Sequence, residues 1–262
     1  MKIAAFNVKR LGWDKVKKKD VRDNIIKIMS QYSVVLLVEV MDKTGGDAME
    51  LLREHLNEYG DNRSNPYHKL CSDPLGPEGY KEKFVYFYRE NEVEIIDSYQ
   101  YEGNAVISRK PFIVRLKCPN TVVQDLVLIP VHTKPSDAEA ELNALHDVVE
   151  DVRERWKNDN IVILGDFNAD GKHLSMEEKK TLPIFLAPYH SLIGDDVKTT
   201  TCNNNDRTYG RIVVYGESML KAIVPDSAKA YNFREHLSLT EEEALTVSDH
   251  YPVEVELKQK AL

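Results

Sequence analysis

Apolar residues gather in short runs along the chain. The runs at 2–8, 33–40, 83–88, 92–99, 112–116, 125–132, 161–165, 211–216 and 251–257 are rich in Val, Ile, Tyr and Phe, which suit a pleated surface, and each predicts a strand. Between them the period changes. Val21, Ile25 and Met29 are four apart, and Leu142, Leu145, Val149, Val152 and Trp156 step by three or four, so each set lines one helix face. Residues 49–56 predict a third helix, and Ser136 or Asp137 is the expected N-cap of the second. Val34 to Val38 and Ile161 to Leu164 are apolar throughout, as strands covered on both faces are. The expected fold is therefore α/β: two packed mixed β-sheets with helices on the outer faces. With no repeat, low-complexity tract or Gly/Ser linker, residues 1–262 are expected to form one domain.

Polar residues recur where these runs end. Asn7 closes the first run and Glu39 falls at the end of the second; His132 ends the run from Leu126, Asp166 and Asn168 follow Ile161–Gly165, and Asp249 and His250 precede Tyr251. Buried strands that end repeatedly in carboxylate, amide or imidazole point to a common cleft. Asn, Asp and Glu supply hard oxygen ligands suited to Mg²⁺ or Mn²⁺, and two histidines among carboxylates suit proton transfer near neutral pH. Together they point to hydrolysis of a phosphate ester. No P-loop is present, which disfavours nucleotide-driven transfer.

Composition narrows this reading. The 262 residues carry a formal net charge of −8, which argues against a protein that coats nucleic acid but not against an enzyme with a local basic face. Cys71, Cys118 and Cys202 have no paired spacing and read as free thiols. No apolar run reaches membrane-spanning length, and the opening residues look like a core strand and not a signal peptide, as expected of an intracellular protein or of a mature N-terminus. The Lys15–Lys19 run reads as a solvated helix start, and Trp13 and Trp156 as packing residues. His68, His146, His173, His190 and His236 lack ligand spacing.

The ordered motifs resemble the deoxyribonuclease I family of the endonuclease/exonuclease/phosphatase superfamily. They are Lys2 to Val8, Leu37 to Val40, Tyr80 to Lys83, Pro130 to His132, Gly165 to Ala169, Val224 to Ala228 and Ser248 to Val253, and they cover nearly the whole chain; the run Thr240 to Leu245 is most similar to the deoxyribonuclease gamma branch. The resemblance implies a four-layer α/β sandwich and a monomer that cuts double-stranded DNA with a divalent cation. It implies that Glu39 holds Mg²⁺ or Mn²⁺ with Asn7 beside it. Asp166, Asn168 and Asp249 would bind metal or position the phosphate and the attacking water. His132 and His250 would be the acid/base pair, with Glu82 orienting His132, and Tyr80 and Arg109 would contact DNA. It also implies a surface that binds monomeric actin at His68 to Ser72, with Phe112 nearby.

The chain departs from that pattern at several places. The family's Tyr-Asp-Arg-Ile-Val reads Tyr209-Gly210-Arg211-Ile212-Val213, so Gly210 stands where an aspartate should orient His250. Weakened catalysis is the expectation, whether the glycine is natural or engineered, and Asp206 is the nearest substitute in sequence. Gly171 and Arg207 replace typical cysteines, and the small disulfide expected near the short loop at Tyr101 to Asn104 is missing, so a disulfide-free fold tolerant of reducing conditions is expected. The family's structural calcium loop becomes Val197 to Asn205 with few carboxylates, which argues against Ca²⁺ there. Met41 replaces a groove-reading arginine. Three functions compete: an impaired endonuclease, an actin-binding protein on a nuclease scaffold, and a hydrolase of another phosphate ester.

Overall fold

Strand alternation shows how the layers form. In the computed structural model, which describes residues 1–262, Ile3 and Ala5 face one apolar core while Ala4, Phe6 and Val8 face another. Val162 and Leu164 face the first of these cores, and Ile161 and Ile163 face a third. Three cores separate four layers: helices, sheet, sheet, helices.

The elements in chain order are β1 (Lys2–Leu11), α1 (Trp13–Val16), α2 (Lys19–Met29), β2 (Val34–Val40), α3 (Asp47–Glu58), β3 (Tyr67–Cys71), β4 (Lys83–Arg89), β5 (Glu94–Gln100), β6 (Phe112–Lys117), β7 (Asp125–His132), α4 (Ala138–Trp156) and β8 (Ile161–Asp166). There follow α5 (Met176–Lys179), β9 (Tyr189–Ser191), β10 (Gly210–Tyr215), α6 (Gly216–Lys221), β11 (Lys229–Ala230), α7 (Phe233–His236), α8 (Glu241–Val247) and β12 (Val253–Glu256). The first sheet has the order β11-β12-β1-β2-β4-β3 and the second β5-β6-β7-β8-β10-β9. Both are mixed: β1 pairs parallel with β2, and β7 parallel with β8. The nine strands and three helices expected from periodicity are all present. Sequence periodicity missed the strands β3, β9 and β11, which have two to five residues, and the short helices α1 and α5 to α8, the last started by a Thr240/Glu243 capping box. Asp137 does occupy the N-cap of α4, but its side chain makes no capping hydrogen bond. No helix is long and apolar enough to cross a membrane.

Buried charge fixes the start of β10. Arg211 is 2% exposed and donates to the carbonyls of Thr208, Ile193 and Ala169 at 3.0–3.2 Å, while its Nη2 lies 2.8 Å from Asp195. Lys179 shares that carboxylate at 2.8 Å. Burial presses against the Arg211 charge, and Asp195 is held below the usual carboxylate range by Lys179 and Arg211 despite its partial burial. Arg211→Ala leaves three carbonyls without this donor and removes the anchor beside Gly210. It is expected to destabilise the fold by about 3 kcal/mol, read as a lower midpoint in urea unfolding.

Candidate active site

The polar residues sit where the inter-sheet core runs out. His132 of β7 lies opposite Asp166 of β8, which lies opposite Gly210 of β10, so the three positions share one face of the second sheet. It is the face of Leu128, Val162, Leu164 and Ile212, which looks toward the first sheet. Asn7 continues the inward series Ile3 and Ala5 of β1.

Glu39 reaches the same place by breaking alternation. Val34, Leu36 and Val38 face inward and Val35 and Leu37 outward, so a regular strand would send residue 39 beneath the outer helices. Instead Glu39 has φ 64° and the pairing register shifts there on both sides of β2. Val40 then takes the outward position, and the Glu39 carboxylate lies with Glu82 and His132, their ligand atoms all within 4.8 Å of one another. Asn168 is also left-handed, at φ 48°. Such costly backbone at non-glycine residues is concentrated at functional sites.

Hydrogen bonds join the cluster. Asn7 Nδ2 donates to Asp166 Oδ2 at 3.0 Å, and the Asn168 main-chain N–H donates to Asp166 Oδ1 at 3.1 Å. His132 Nε2 and His250 Nε2 lie 3.6 and 3.7 Å from the same Oδ2. Glu82 contacts His132 Nδ1 on one side and the Arg109 guanidinium on the other. Burial alone would lower the His132 pKa, but the Glu82 hydrogen bond and the charges of Asp166 and Glu82 outweigh it and raise the value. Burial alone would raise that of Asp166, but His250, His132 and the donors from Asn168 and Asn7 hold it down.

A second group of contacts carries Asp249 and His250 to Asp166. Ser248 is fully buried; its hydroxyl donates to the Asn7 carbonyl at 2.6 Å and accepts from the His250 N–H at 3.1 Å. Lys15, expected in a solvated run, is instead a clamp: its ammonium donates to the carbonyls of Val8 at 3.1 Å and Val247 at 2.7 Å, joining the end of β1 to the end of α8. Burial lowers its pKa to about 8, although Asp249 and Glu39 pull the other way. Lys17, Lys18 and Lys19 are exposed as expected.

The donor set fits a hard divalent cation. Glu39 and Asp249 both act on Lys15, and Asp249 Oδ1 is buried with no hydrogen-bond partner, 3.5 Å from His250 Nε2. An uncompensated buried carboxylate oxygen is costly unless a cation completes it. Asn7 is less available, since its Oδ1 already accepts the Lys9 N–H at 2.9 Å.

The structure brings together Asn7, Glu39, Glu82, Arg109, His132, Asp166, Asp249 and His250. Asn168 turns its amide to the carbonyl and hydroxyl of Thr133, at 3.1 and 3.2 Å. Tyr80 stands apart and is 67% exposed. Arg109 is mostly covered: besides Glu82 it meets the His132 carbonyl. Nothing orients His250 in place of the missing aspartate. Asp206 turns to solvent and pairs with Lys198 at 3.0 Å, so it is no substitute. A Cβ on Gly210 would lie 3.0 Å from Val253 Cγ1, which must give by a few tenths of an ångström to admit a side chain. In the loop from Val197, the Lys198 ammonium donates to the Cys202 carbonyl and pairs with Asp206. Positions 171 and 207 do adjoin: a Cβ on Gly171 would stand 3.2 Å from Arg207 Nε, and Asp170 accepts from the Thr208 N–H at 2.8 Å.

Glu141 went unnoticed in the sequence. It is 2% exposed and accepts the N–H groups of Lys134 at 2.7 Å and Ser108 at 3.2 Å, so one carboxylate holds the loops beyond His132 and before Arg109. Burial raises its pKa. The available signal was an acidic residue beside Leu142 within an apolar helix stripe.

Comparison with known proteins identifies the family and supports the fold. The model of the Endonuclease/Exonuclease/phosphatase family matches residues 4–219. A protein named Deoxyribonuclease-1-like 1 from Cricetulus griseus is 41% identical, over 98% of this chain and 84% of the relative. Deoxyribonuclease-1 from Sus scrofa is 35% identical, over 99% and 92%. The human Nocturnin catalytic domain superposes with a TM-score of 0.67 at 16% identity, covering 99% of this chain and 94% of that one, which supports the fold. These names speak for the deoxyribonuclease I family and not for its gamma branch in particular. A family match across most of the chain and full-length relatives at this identity make it a member of the deoxyribonuclease I family, within the endonuclease/exonuclease/phosphatase superfamily.

Proposed function

We propose that this protein is a divalent-metal-dependent endonuclease that hydrolyses phosphodiester bonds of double-stranded DNA, and that Gly210 impairs it. The observation that carries the reading is one buried carboxylate, Asp166, set between two imidazoles beside the unpartnered oxygen of Asp249. Glu39 and Asp249, with Asn7 adjacent, would hold the Mg²⁺ or Mn²⁺, which when bound neutralises charge developing on the phosphate. His132, oriented by Glu82, has its protonated form favoured by the Glu82 and Asp166 carboxylates and suits the general acid that gives a proton to the leaving oxygen. The complementary role falls to His250, which takes the proton from the attacking water as the new P–O bond forms. Asp166 and Asn168 position phosphate and water between them. The His250 ring meets carboxylates only at Nε2 and has no acceptor at Nδ1 to hold that proton there, so it spends only part of its time in the productive state.

A second reading concerns a different face. β3 is an edge strand of the first sheet, and an unpaired edge can receive a partner's strand. It carries His68 to Cys71 of the His68–Ser72 stretch from which monomeric actin binding is inferred, although Lys69 is engaged with Glu50 at 3.3 Å. Failure to retain this protein on immobilised monomeric actin at micromolar concentration would remove that reading.

Gly210→Asp is expected to raise plasmid nicking in Mg²⁺ or Mn²⁺ by about 10²–10⁴-fold, and His132→Gln in that background to abolish the gain. The double variant Gly210→Asp/Val253→Ala guards against a steric block at Val253. No gain in either background overturns the assignment of position 210. A pH dependence of stability follows from His132. A raised folded pKa contributes stability that is full below the ring's ordinary value of 6.5 and lost as pH rises through the folded value. In chelator, the melting temperature of the unmodified protein should therefore fall more steeply above pH 6.5 than that of His132→Gln, and parallel curves would contradict it.

A further inference from the structure

A cleft of about 430 Å³ opens between α5, the end of β9 and the start of β10. Strand parity puts it on the far side of the second sheet from the polar cluster. Ile212 and Val214 look toward the first sheet, whereas Val213, and with it Arg211, looks toward the outer helices. The walls include Met176, Phe185, Leu186 and Ile193. Met176 and Leu186 are 55% and 47% exposed, so two large apolar side chains meet water at one concavity. Met176 and Lys179 stand three apart on α5 and share one face of it, and a Ser175/Glu178 capping box starts that helix. One short element thus offers an apolar contact and a charge together.

The polar side of the cleft carries one cation too many. Lys179 and Arg211 are 6% and 2% exposed, and both lie 2.8 Å from the same oxygen of Asp195. Arg211 has three carbonyls besides, but the Lys179 ammonium makes that one hydrogen bond and keeps two donors free. Neighbouring acids are engaged elsewhere. Glu177 pairs with Lys180 at 3.2 Å, and Asp170 meets Arg207 and the N–H groups of Gly171 and Thr208. Asp196 is exposed and does not line the cleft. An excess charge so deeply covered is costly unless an anion meets it.

We propose that this cleft binds an amphipathic anion, a single carboxylate head on an apolar tail. The head completes the Lys179 ammonium, and the tail covers Met176, Phe185 and Leu186. A mostly apolar concavity of this size with a few convergent polar groups is the usual form of a small-ligand site. The site is separate from the polar cluster, and its ligand needs no phosphodiester. Tail and head leave different signatures. Each methylene taken out of water tightens binding about fourfold, whereas the head decides between anion and cation.

Isothermal titration calorimetry on the full chain tests this with butyrate, hexanoate and octanoate, and with octylammonium as the charge control. Affinity is expected to rise by about an order of magnitude for each two methylenes added, and octylammonium to bind at least about tenfold more weakly than octanoate. Leu186→Asp, at a half-exposed position that the fold tolerates, puts a charge in the path of the tail and should weaken octanoate at least about tenfold. Asp195→Asn removes the carboxylate that competes for Lys179 and should tighten octanoate roughly 3- to 10-fold, with the melting temperature of each ligand-free variant showing that it is folded. No binding of octanoate at millimolar concentration, equal binding of octylammonium, or unchanged affinity in Leu186→Asp overturns the proposal. None of these measurements needs catalysis, so their failure leaves the nuclease reading untouched.

Discussion

The hydrogen bond from Asn7 to Asp166 spans the two sheets at the point where their shared apolar core ends. Its donor stands on β1 and its acceptor on β8, so it forms only if both sheets stack in the correct register. Asp166 is nearly inaccessible to water, and a charge so placed must be met by donors and positive groups or be neutralised. The Asn168 N–H, the Asn7 amide and two imidazoles meet it. Each of those partners has its own support: Glu82 behind His132, Thr133 behind Asn168, and Ser248 behind both Asn7 and His250. Local dielectric is low here, so these contacts strengthen one another, and the loss of any one exposes the rest to the full cost of burial.

Much of this was readable before any coordinates. A strand that is apolar on both faces must be covered twice, and that requirement alone gives the layered architecture. Its polar ends gave the cluster, because Asn7, His132 and Asp166 fall on the inward parity of their strands. Glu39 is legible as a carboxylate at the end of an apolar run, but its route is not: simple alternation sends it to the wrong side, and a left-handed residue reverses it. Lys15 was hidden for another reason. A lysine in a basic run reads as solvated, and its clamp links elements 232 residues apart, which no local pattern encodes. Trp13, 42% exposed, was misjudged because aromatic residues usually pack inside. Gly210 was legible only as a missing carboxylate, while its close neighbour Val253 comes from the opposite sheet.

Four of the seven non-glycine residues at positive φ, Lys9, Arg10, Glu39 and Asn168, belong to the strand ends that carry the polar cluster, while Lys157, Asp226 and Ser238 lie in turns elsewhere. Three well-packed apolar cores supply the stability that lets the chain tolerate them. Replacing such residues with ones better suited to a regular strand would relax the backbone and misdirect the side chains, the usual conflict between stability and activity.

Asp170 pairs with Arg207 beside positions 171 and 207, where the resemblance implies cysteines. A covalent bridge is either made or broken. A pair of charges 3.8 Å apart, with more than half of the arginine in solvent, weakens by degrees as counterions crowd around it. The segment it steadies leads through Thr208 and Tyr209 into the strand that borders His250. At that border the ion pair contributes less as ionic strength rises, while the Thr208 N–H to Asp170 hydrogen bond remains.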